Sequence, residues 1–243
     1  MGGWRSWLAR SIDIAEVTGS SPVPPTGAIA KFKMQNSKIK NIYEDDTVLV
    51  IDKPAGVNAD DIPLRAHRLD KDTSGVLLAA KDDKTLEFLQ KQFAERRVEK
   101  RYIALVTGHL KNDSGIIETM LDRSPKDRRK QKAFLAQDPE AQGKRTAITK
   151  YKVLQKFKDY DLIELEPKTG RKHQIRAHMA YLGRPIAGDK LYGFKNQITP
   201  KNLNRQFLHA AYLKIEMPSG EIKEFKSELP NDLKLCLAQL KQI

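Results

Sequence analysis

Short apolar runs that stop at sharp turns constrain the fold of this chain more than any other feature. Residues 47–51, 76–80 and 102–106 each form a run of five mostly aliphatic side chains. Runs of this length are typical of buried strands, because most helices need ten or more residues. The first run ends at 52–56, Asp-Lys-Pro-Ala-Gly, where proline and glycine terminate a strand. We therefore expect a sheet that is built from many short strands.

Other segments add more strands and a few helices. Residues 146–154 alternate between apolar and polar side chains, 161–166 follow as another strand, and 207–216 with 222–225 flank a Pro-Ser-Gly turn that predicts a hairpin. Apolar residues at helical spacing predict three helices. Their markers are Leu86, Leu89 and Phe93, then Ile175, Met179 and Leu182, and last Leu233, Leu237 and Leu240. The predicted class is α+β, with a mixed, mostly antiparallel sheet and flanking helices.

The charge of the chain indicates its partner. The 243 residues include 44 Lys and Arg against 31 Asp and Glu, which gives a formal net charge of +13. An excess of this size is typical of proteins that bind a polyanion, most often nucleic acid and less often an acidic membrane. Solubility alone is the alternative explanation of the charge.

Several classes of site are not expected. Cys236 is the only cysteine, so neither an intrachain disulfide nor a cysteine-based zinc site is possible. The chain has no glycine-rich phosphate-binding motif and no apolar run of the roughly 18 to 20 residues that a membrane span needs. We predict a cytoplasmic protein that needs no metal and no cofactor and does not act at a membrane.

The N-terminal region differs in character from the rest of the chain. It contains both tryptophans, followed by a stretch rich in serine, proline and glycine that cannot form a regular element. Residues 1–36 are therefore predicted to be a disordered tail or an extension that the working protein lacks, and residues 37–243 a single domain.

The densest polar cluster lies just before the strand predicted at 76–80. Residues 67–75, His-Arg-Leu-Asp-Lys-Asp-Thr-Ser-Gly, combine an arginine, two carboxylates and two hydroxyls. Composition alone favours a solvated turn, because Asp, Thr and Ser are good turn formers. A loop of charged groups beside a rigid strand is equally a common position for an active site.

Two further clusters are basic. Residues 168–178, Lys-Thr-Gly-Arg-Lys-His-Gln-Ile-Arg-Ala-His, run from a glycine turn into a helix, and suit either an anionic partner or an ordinary cationic surface. Residues 123–132 hold six basic side chains and one acid. With this net charge, we interpret residues 123–132 as a loop that binds RNA rather than as a merely solvated loop.

Taken in order, these motifs resemble the RluA-type pseudouridine synthases over roughly residues 40 to 230. The resemblance is carried by His-Arg-Leu-Asp-x-x-Thr-Ser-Gly at 67–75, Lys-x-Tyr-x-Ala-Leu-Val-x-Gly at 100–108, Thr-Gly-Arg-x-His-Gln-Ile-Arg at 169–176 and Pro-Ile-x-Gly-Asp at 185–189. Lys-Pro-Ala-Gly at 53–56 and Leu-His-Ala at 208–210 also match. The resemblance implies the α+β pseudouridine synthase fold with a central catalytic cleft.

The resemblance also implies roles for particular residues. Asp70 matches the catalytic aspartate, which either attacks the sugar C1′ or helps to remove a sugar proton while uracil is detached. Arg171 matches the arginine that pairs with this aspartate, and Tyr102 the tyrosine that lies against the uracil ring. Arg68 matches the arginine that helps to displace the target nucleotide from its stack.

The implied partner is structured ribosomal or transfer RNA, acted on by a monomer. The basic side chains expected to contact RNA are Arg68, Arg123, Lys126, Arg128, Arg129, Lys130, Lys132 and Arg176. Two other functions share some of these features. A non-catalytic RNA-binding protein on the same fold would have lost Asp70 or Arg171, and a glycoside hydrolase would need two carboxylates that flank the bond.

Overall fold

The computed structural model describes residues 39–243, which form one large sheet with three α-helices. The strands are β1 (Lys40–Glu44), β2 (Val48–Lys53), β3 (Ser74–Ala80), β4 (Glu99–Thr107), β5 (Ser114–Arg123), β6 (Gln131–Phe134), β7 (Arg145–Phe157), β8 (Tyr160–Pro167), β9 (Leu208–Glu216) and β10 (Ile222–Lys226). The helices are α1 (Asp83–Ala94), α2 (Gln174–Tyr181) and α3 (Asn231–Ala238). No helix in this part of the chain is long and apolar enough to span a membrane.

The strands follow the order β1-β2-β3-β9-β4-β8-β7-β5-β6, and β10 pairs with the far end of β9. Every pair is antiparallel except β3 with β9. The predicted mixed, mostly antiparallel sheet with flanking helices is therefore confirmed. β9 enters the sheet between β3 and β4, so the last third of the chain joins strands from its first half.

The junction between β3 and β9 is very short. It consists of two parallel partners, Ser74 opposite His209 and Gly75 opposite Ala210. Gly75 has φ +118°, and a Cβ at this position would lie 2.2 Å from the carbonyl oxygen of Ala210. Only glycine allows this close approach, which explains the glycine that ends the 67–75 motif.

The core is built on both faces of the sheet. On one side, α1 packs against β3 through Leu89, which is fully buried, and Asp82 caps this helix by accepting a hydrogen bond from the Thr85 amide at 2.8 Å. A larger cluster lies under α2 and α3 and includes Ile163 of β8 and Met179 of α2. Short strands are stable here because both faces bury aliphatic side chains.

The sequence predictions place most elements correctly and miss some. The three predicted helices correspond to α1, α2 and α3, although α2 and α3 end before Leu182 and Leu240. The predicted hairpin is β9 with β10. The sequence patterns miss β1, β5 and β6, because β1 and β6 have only five and four residues and β5 does not alternate strictly between apolar and polar side chains. The tail predicted at residues 1–36 lies outside the described residues.

Candidate active site

Asp70 lies in the loop that leads into β3. The Thr73 amide donates to the Asp70 carbonyl at 3.0 Å, which closes a tight turn directly before the strand. The side chain of Asp70 is about one fifth exposed and faces a cleft. The turn and the short β3–β9 junction together fix the position of this carboxylate.

Lys53 ties the Asp70 loop to the end of β2. Its ammonium group donates to three backbone carbonyls, those of Pro54 at 2.9 Å, Val57 at 2.9 Å and Lys71 at 3.0 Å. The side chain is fully buried, and this burial lowers the pKa of Lys53 to about 8. Lys53, the lysine of the Lys-Pro-Ala-Gly segment, thus holds the backbone at Lys71, the residue next to Asp70.

Arg176 of α2 is the cation that reaches Asp70. Its Nη1 donates to Asp70 Oδ2 at 2.9 Å, while Nε and Nη2 donate to the two carboxylate oxygens of Asp189 at 2.7 and 2.8 Å. Burial acts to lower the pKa of Arg176, but hydrogen bonds and charge from Asp189 and Asp70 raise it. The guanidinium therefore stays charged and holds two carboxylates at once.

Asp189 anchors this arrangement from behind. One of its oxygens also accepts the backbone amides of Leu191 and Tyr192, at 2.9 and 3.0 Å. Burial acts to raise the pKa of Asp189, and the hydrogen bonds from Arg176 and these amides lower it overall. A buried carboxylate with four donors is a rigid support for the arginine.

The expected pairing of Asp70 with Arg171 is wrong in this structure. Arg171 Nε instead donates to the Thr146 carbonyl at 3.1 Å, and Arg176 occupies the place next to Asp70. Both arginines belong to one basic motif, but Arg171 precedes α2 whereas Arg176 lies on it, on the face towards Asp70. Arg176 was predicted as an RNA contact, yet it is largely buried between two carboxylates. Arg68 lines the same cleft, and its Nη2 lies 3.9 Å from Asp60 Oδ2.

Tyr102 lies in the same cleft at an irregularity of β4. The register between β4 and β9 shifts between Arg101 and Tyr102, and a bulge of this kind re-aims the side chain that follows. Burial, and then the charge of Asp70, raise the pKa of Tyr102. Its hydroxyl is therefore protonated at neutral pH.

His173 is a residue of the site that sequence reasoning did not single out. It has a left-handed backbone with φ +52° at the start of α2, and its Nε2 lies 3.7 Å from Asp70 Oδ1. Its Nδ1 lies 3.1 Å from the Tyr192 hydroxyl. Burial is the main reason why the pKa of His173 is lowered, although Asp70 opposes this. The only signal in the sequence was its place inside the 168–178 motif.

The basic cluster at 123–132 forms the hairpin connection between β5 and β6. Arg123 and Lys132 lie in its two arms, and the base of the hairpin is fixed to the site because the Gln131 amide donates to the Tyr192 hydroxyl at 2.6 Å. Most of its predicted RNA contacts are exposed, namely Arg123, Lys126, Arg128, Arg129 and Lys132, with Lys130 half-buried. Arg129 is paired with Asp127, and Lys132 with Glu140.

The cleft around Asp70 has a volume of about 140 Å³. Asp70, Tyr102, Arg171 and Arg176 all line it, and so does Arg68 at its exposed side. The structure thus gathers residues from the loop before β3, from β4 and from the 168–178 motif. It places a carboxylate, a protonated phenol and cations around a space lined by both polar and apolar atoms.

Comparison with known proteins identifies a family that this chain resembles in sequence. Residues 59–181 match the family model described as RNA pseudouridylate synthase. The chain is 37% identical over 236 residues to ribosomal large subunit pseudouridine synthase D of Borreliella burgdorferi, an alignment that covers 85% of this chain and 70% of that protein. It is 33% identical to ribosomal large subunit pseudouridine synthase C of Vibrio cholerae, over 93% of this chain and 76% of that protein.

A solved structure shares the fold. Human RNA pseudouridylate synthase domain containing 1 superposes with a TM-score of 0.73 and 26% sequence identity, and the match covers 84% of this chain and 89% of that one. The motif order, the ten-stranded sheet and these matches lead to one conclusion. The chain belongs to the RNA pseudouridylate synthase family, in its RluA-type branch, and is an isomerase that acts on RNA.

Proposed function

We propose that this enzyme converts uridine to pseudouridine in ribosomal RNA, with Asp70 as the catalytic carboxylate. The observation that carries the proposal is the contact of Arg176 with Asp70 at the wall of a cleft that Tyr102 also lines. The names of the bacterial relatives favour ribosomal RNA of the large subunit over transfer RNA.

The reaction needs an oriented carboxylate near the sugar of the target nucleotide. Asp70 either attacks C1′, which forms a covalent ester as uracil leaves, or removes a sugar proton as the glycosidic bond breaks. In both routes the detached uracil turns and rejoins through C5, and a proton is lost from C5. Arg176 positions Asp70 for either route, because its bidentate contact with Asp189 fixes the direction of the remaining N–H group.

Tyr102 supplies a surface for the uracil ring. Its raised pKa makes the hydroxyl a hydrogen-bond donor rather than a base at neutral pH. The ring is thus suited to hold the free base in the cleft while it turns.

The target nucleotide must leave its stack to reach Asp70. A base inside a helix cannot enter a cleft of this size, so extrusion is required, at a cost of a few kcal/mol. Arg68 is more than half exposed at the edge of the cleft. From there its guanidinium can fill the place that the extruded base vacates.

The proposal is tested by mapping pseudouridine in total RNA from a host strain that lacks the gene. The strain is complemented with the wild type, with Asp70→Asn or with Asp72→Asn. Asp72 is the matched control, because its side chain is exposed two residues away. We expect one or more ribosomal uridines to be modified with the wild type and Asp72→Asn but not with Asp70→Asn.

Other outcomes overturn parts of the proposal. Modification by Asp70→Asn at the wild-type level would refute the assignment of the catalytic carboxylate. Gene-dependent pseudouridine in transfer RNA only would refute the ribosomal target and leave the reaction intact.

A further inference from the structure

A second cleft adjoins the one around Asp70 and has a volume of about 370 Å³. The two clefts share a wall that includes Arg68, Lys100 and Tyr102. Five of the side chains that line the second cleft are cationic, and none of its described lining residues is a carboxylate. The cations are Arg68, Arg96, Lys100, Lys168 and Arg171.

Much of this positive charge is not neutralised. Arg68 lies near Asp60, and Lys168 is paired with Glu166. In contrast, Arg96, Lys100 and Arg171 form no ion pair with any residue in the range 39–243.

The crowding of like charges affects the titration of these groups. Burial, and then the charge of Lys168, lower the pKa of Lys100 to about 8. Burial, and then Arg145 and Arg96, lower the pKa of Arg171. Bringing cations together costs free energy, and an anion between them would relieve that repulsion.

Arg96 reaches this cleft from an unusual backbone position. It follows α1 with φ +61°, and the Arg97 amide donates to the Gln92 carbonyl at 3.0 Å while the Arg96 amide donates to Phe93 at 3.3 Å. This pattern is the Schellman motif, in which glycine is strongly favoured at the left-handed residue. Here the position carries a long cationic side chain instead.

We propose that the second cleft binds a backbone phosphate next to the target uridine, and that Arg96 and Lys100 make this contact. The inference rests on the proposed function, because it requires an RNA nucleotide at Asp70. A ribose held there carries a phosphate on each side, and the wall that both clefts share brings the cations of the second cleft within reach of one of them. The cleft thus positions the RNA through its backbone and not through its bases.

The first test uses Arg96→Gly, with Arg97→Gln as the matched control. Arg97 is paired with Glu95 at 2.8 Å and with Glu216 at 3.1 Å, and it does not line the cleft. Glycine suits the backbone of residue 96, so Arg96→Gly should keep or raise the melting temperature. We expect its KM for the RNA to rise on the order of tenfold with kcat within about twofold, since a hydrogen bond to a charged group is lost. The control should keep both parameters.

The second test replaces one phosphate of the substrate by a neutral methylphosphonate, on either side of the target uridine. At one of these two positions the wild type should lose affinity on the order of tenfold, whereas Arg96→Gly should lose clearly less, because only the contact with Lys100 is left to lose. Additive losses at both positions would overturn the proposal, and so would an unchanged KM for Arg96→Gly. The wild type must also convert the RNA that carries no methylphosphonate. If it does not, the proposed function itself is refuted. If it does, the two tests above judge the phosphate contact alone.

Discussion

At the scale of single residues, the site depends on the planar shape of one guanidinium. Arg176 uses two nitrogens for Asp189 and directs the third to Asp70. A lysine ammonium carries the same charge but cannot form a bidentate contact and point in a fixed third direction. The position of the Asp70 carboxylate is therefore expected to depend on the geometry of the cation as well as on its charge.

Arg176→Lys should reduce kcat at least about 100-fold, because a small misplacement of a reacting group has effects of this size. Arg171→Lys should change kcat only a few fold, since Arg171 contacts the Thr146 carbonyl and not Asp70. Single-turnover kinetics with saturating enzyme would measure both variants, and thermal unfolding would show that each is folded. Equal losses of kcat in the two variants would contradict the assignment of Arg176.

At the scale of the elements, α2 is held to the sheet by a buried histidine. His178 is fully buried, and its two ring nitrogens lie 3.0 Å from the Thr119 hydroxyl on β5 and 2.9 Å from the Thr149 hydroxyl on β7. Burial lowers the pKa of His178 to about 4. Because Arg176 lies on the same helix, this contact also supports the site.

The depressed pKa of His178 predicts a loss of stability in acid. In the unfolded chain this histidine titrates near its ordinary value of about 6.5, so its contribution is complete above that pH and is lost as the pH falls towards 4. Between pH 7 and pH 5 the loss from this group is about 2 kcal/mol.

Urea unfolding at several pH values would test this effect in the wild type and in His178→Gln. The variant should show the shallower dependence on pH over this range, since glutamine does not titrate. Parallel curves for the two proteins would show that His178 titrates normally.

The β5–β6 hairpin is the second element with a predicted effect. Arg123, Lys126 and Arg128 are exposed and form no ion pair with any described residue. If they contact RNA phosphates, replacing all three by glutamine should weaken binding. The slope of log Kd against log salt concentration should then flatten by about 0.7 for each lost contact to single-stranded RNA.

Titrations of fluorescent RNA at several salt concentrations would measure that slope. Lys234→Gln is the control, because Lys234 lies on α3, outside the hairpin, and is paired with Glu228. An unchanged slope in the triple variant would mean that the hairpin is solvated and does not touch RNA.

At the scale of the whole molecule, the short β3–β9 junction joins the two parts of the sheet. β1, β2, β3 and β10 lie on one side of β9, and β4, β8, β7, β5 and β6 lie on the other. The Asp70 loop ends at this junction, so the stability of the fold and the position of the site depend on the same two residue pairs.

Gly75→Ala should destabilise the protein by about 3 kcal/mol or more, because the new methyl group would overlap the Ala210 carbonyl and the backbone would have to move. Gly220→Ala is the matched control, since Gly220 also has a positive φ but open space around it. The control should cost only about 1 kcal/mol. Chemical denaturation of both variants would measure the difference, and equal costs would show that the junction is not close-packed.

The sequence by itself determined the class of the fold, the family and most of the elements. Short aliphatic runs specify buried strands locally, and the Asp70 motif is continuous, so both can be identified without knowing what lies nearby. The match of residues 59–181 to the family model agrees with that interpretation.

Only the tertiary structure decided which cation serves Asp70 and where the other cations gather. Arg171 and Arg176 are five residues apart in one motif, and their roles depend on which side of α2 faces the loop before β3. Arg96 belongs to none of the sequence motifs, and it reaches the second cleft only because α1 ends beside β4. Contacts between segments distant in the chain depend on packing, and local sequence patterns do not encode the direction in which a side chain points after the chain has folded.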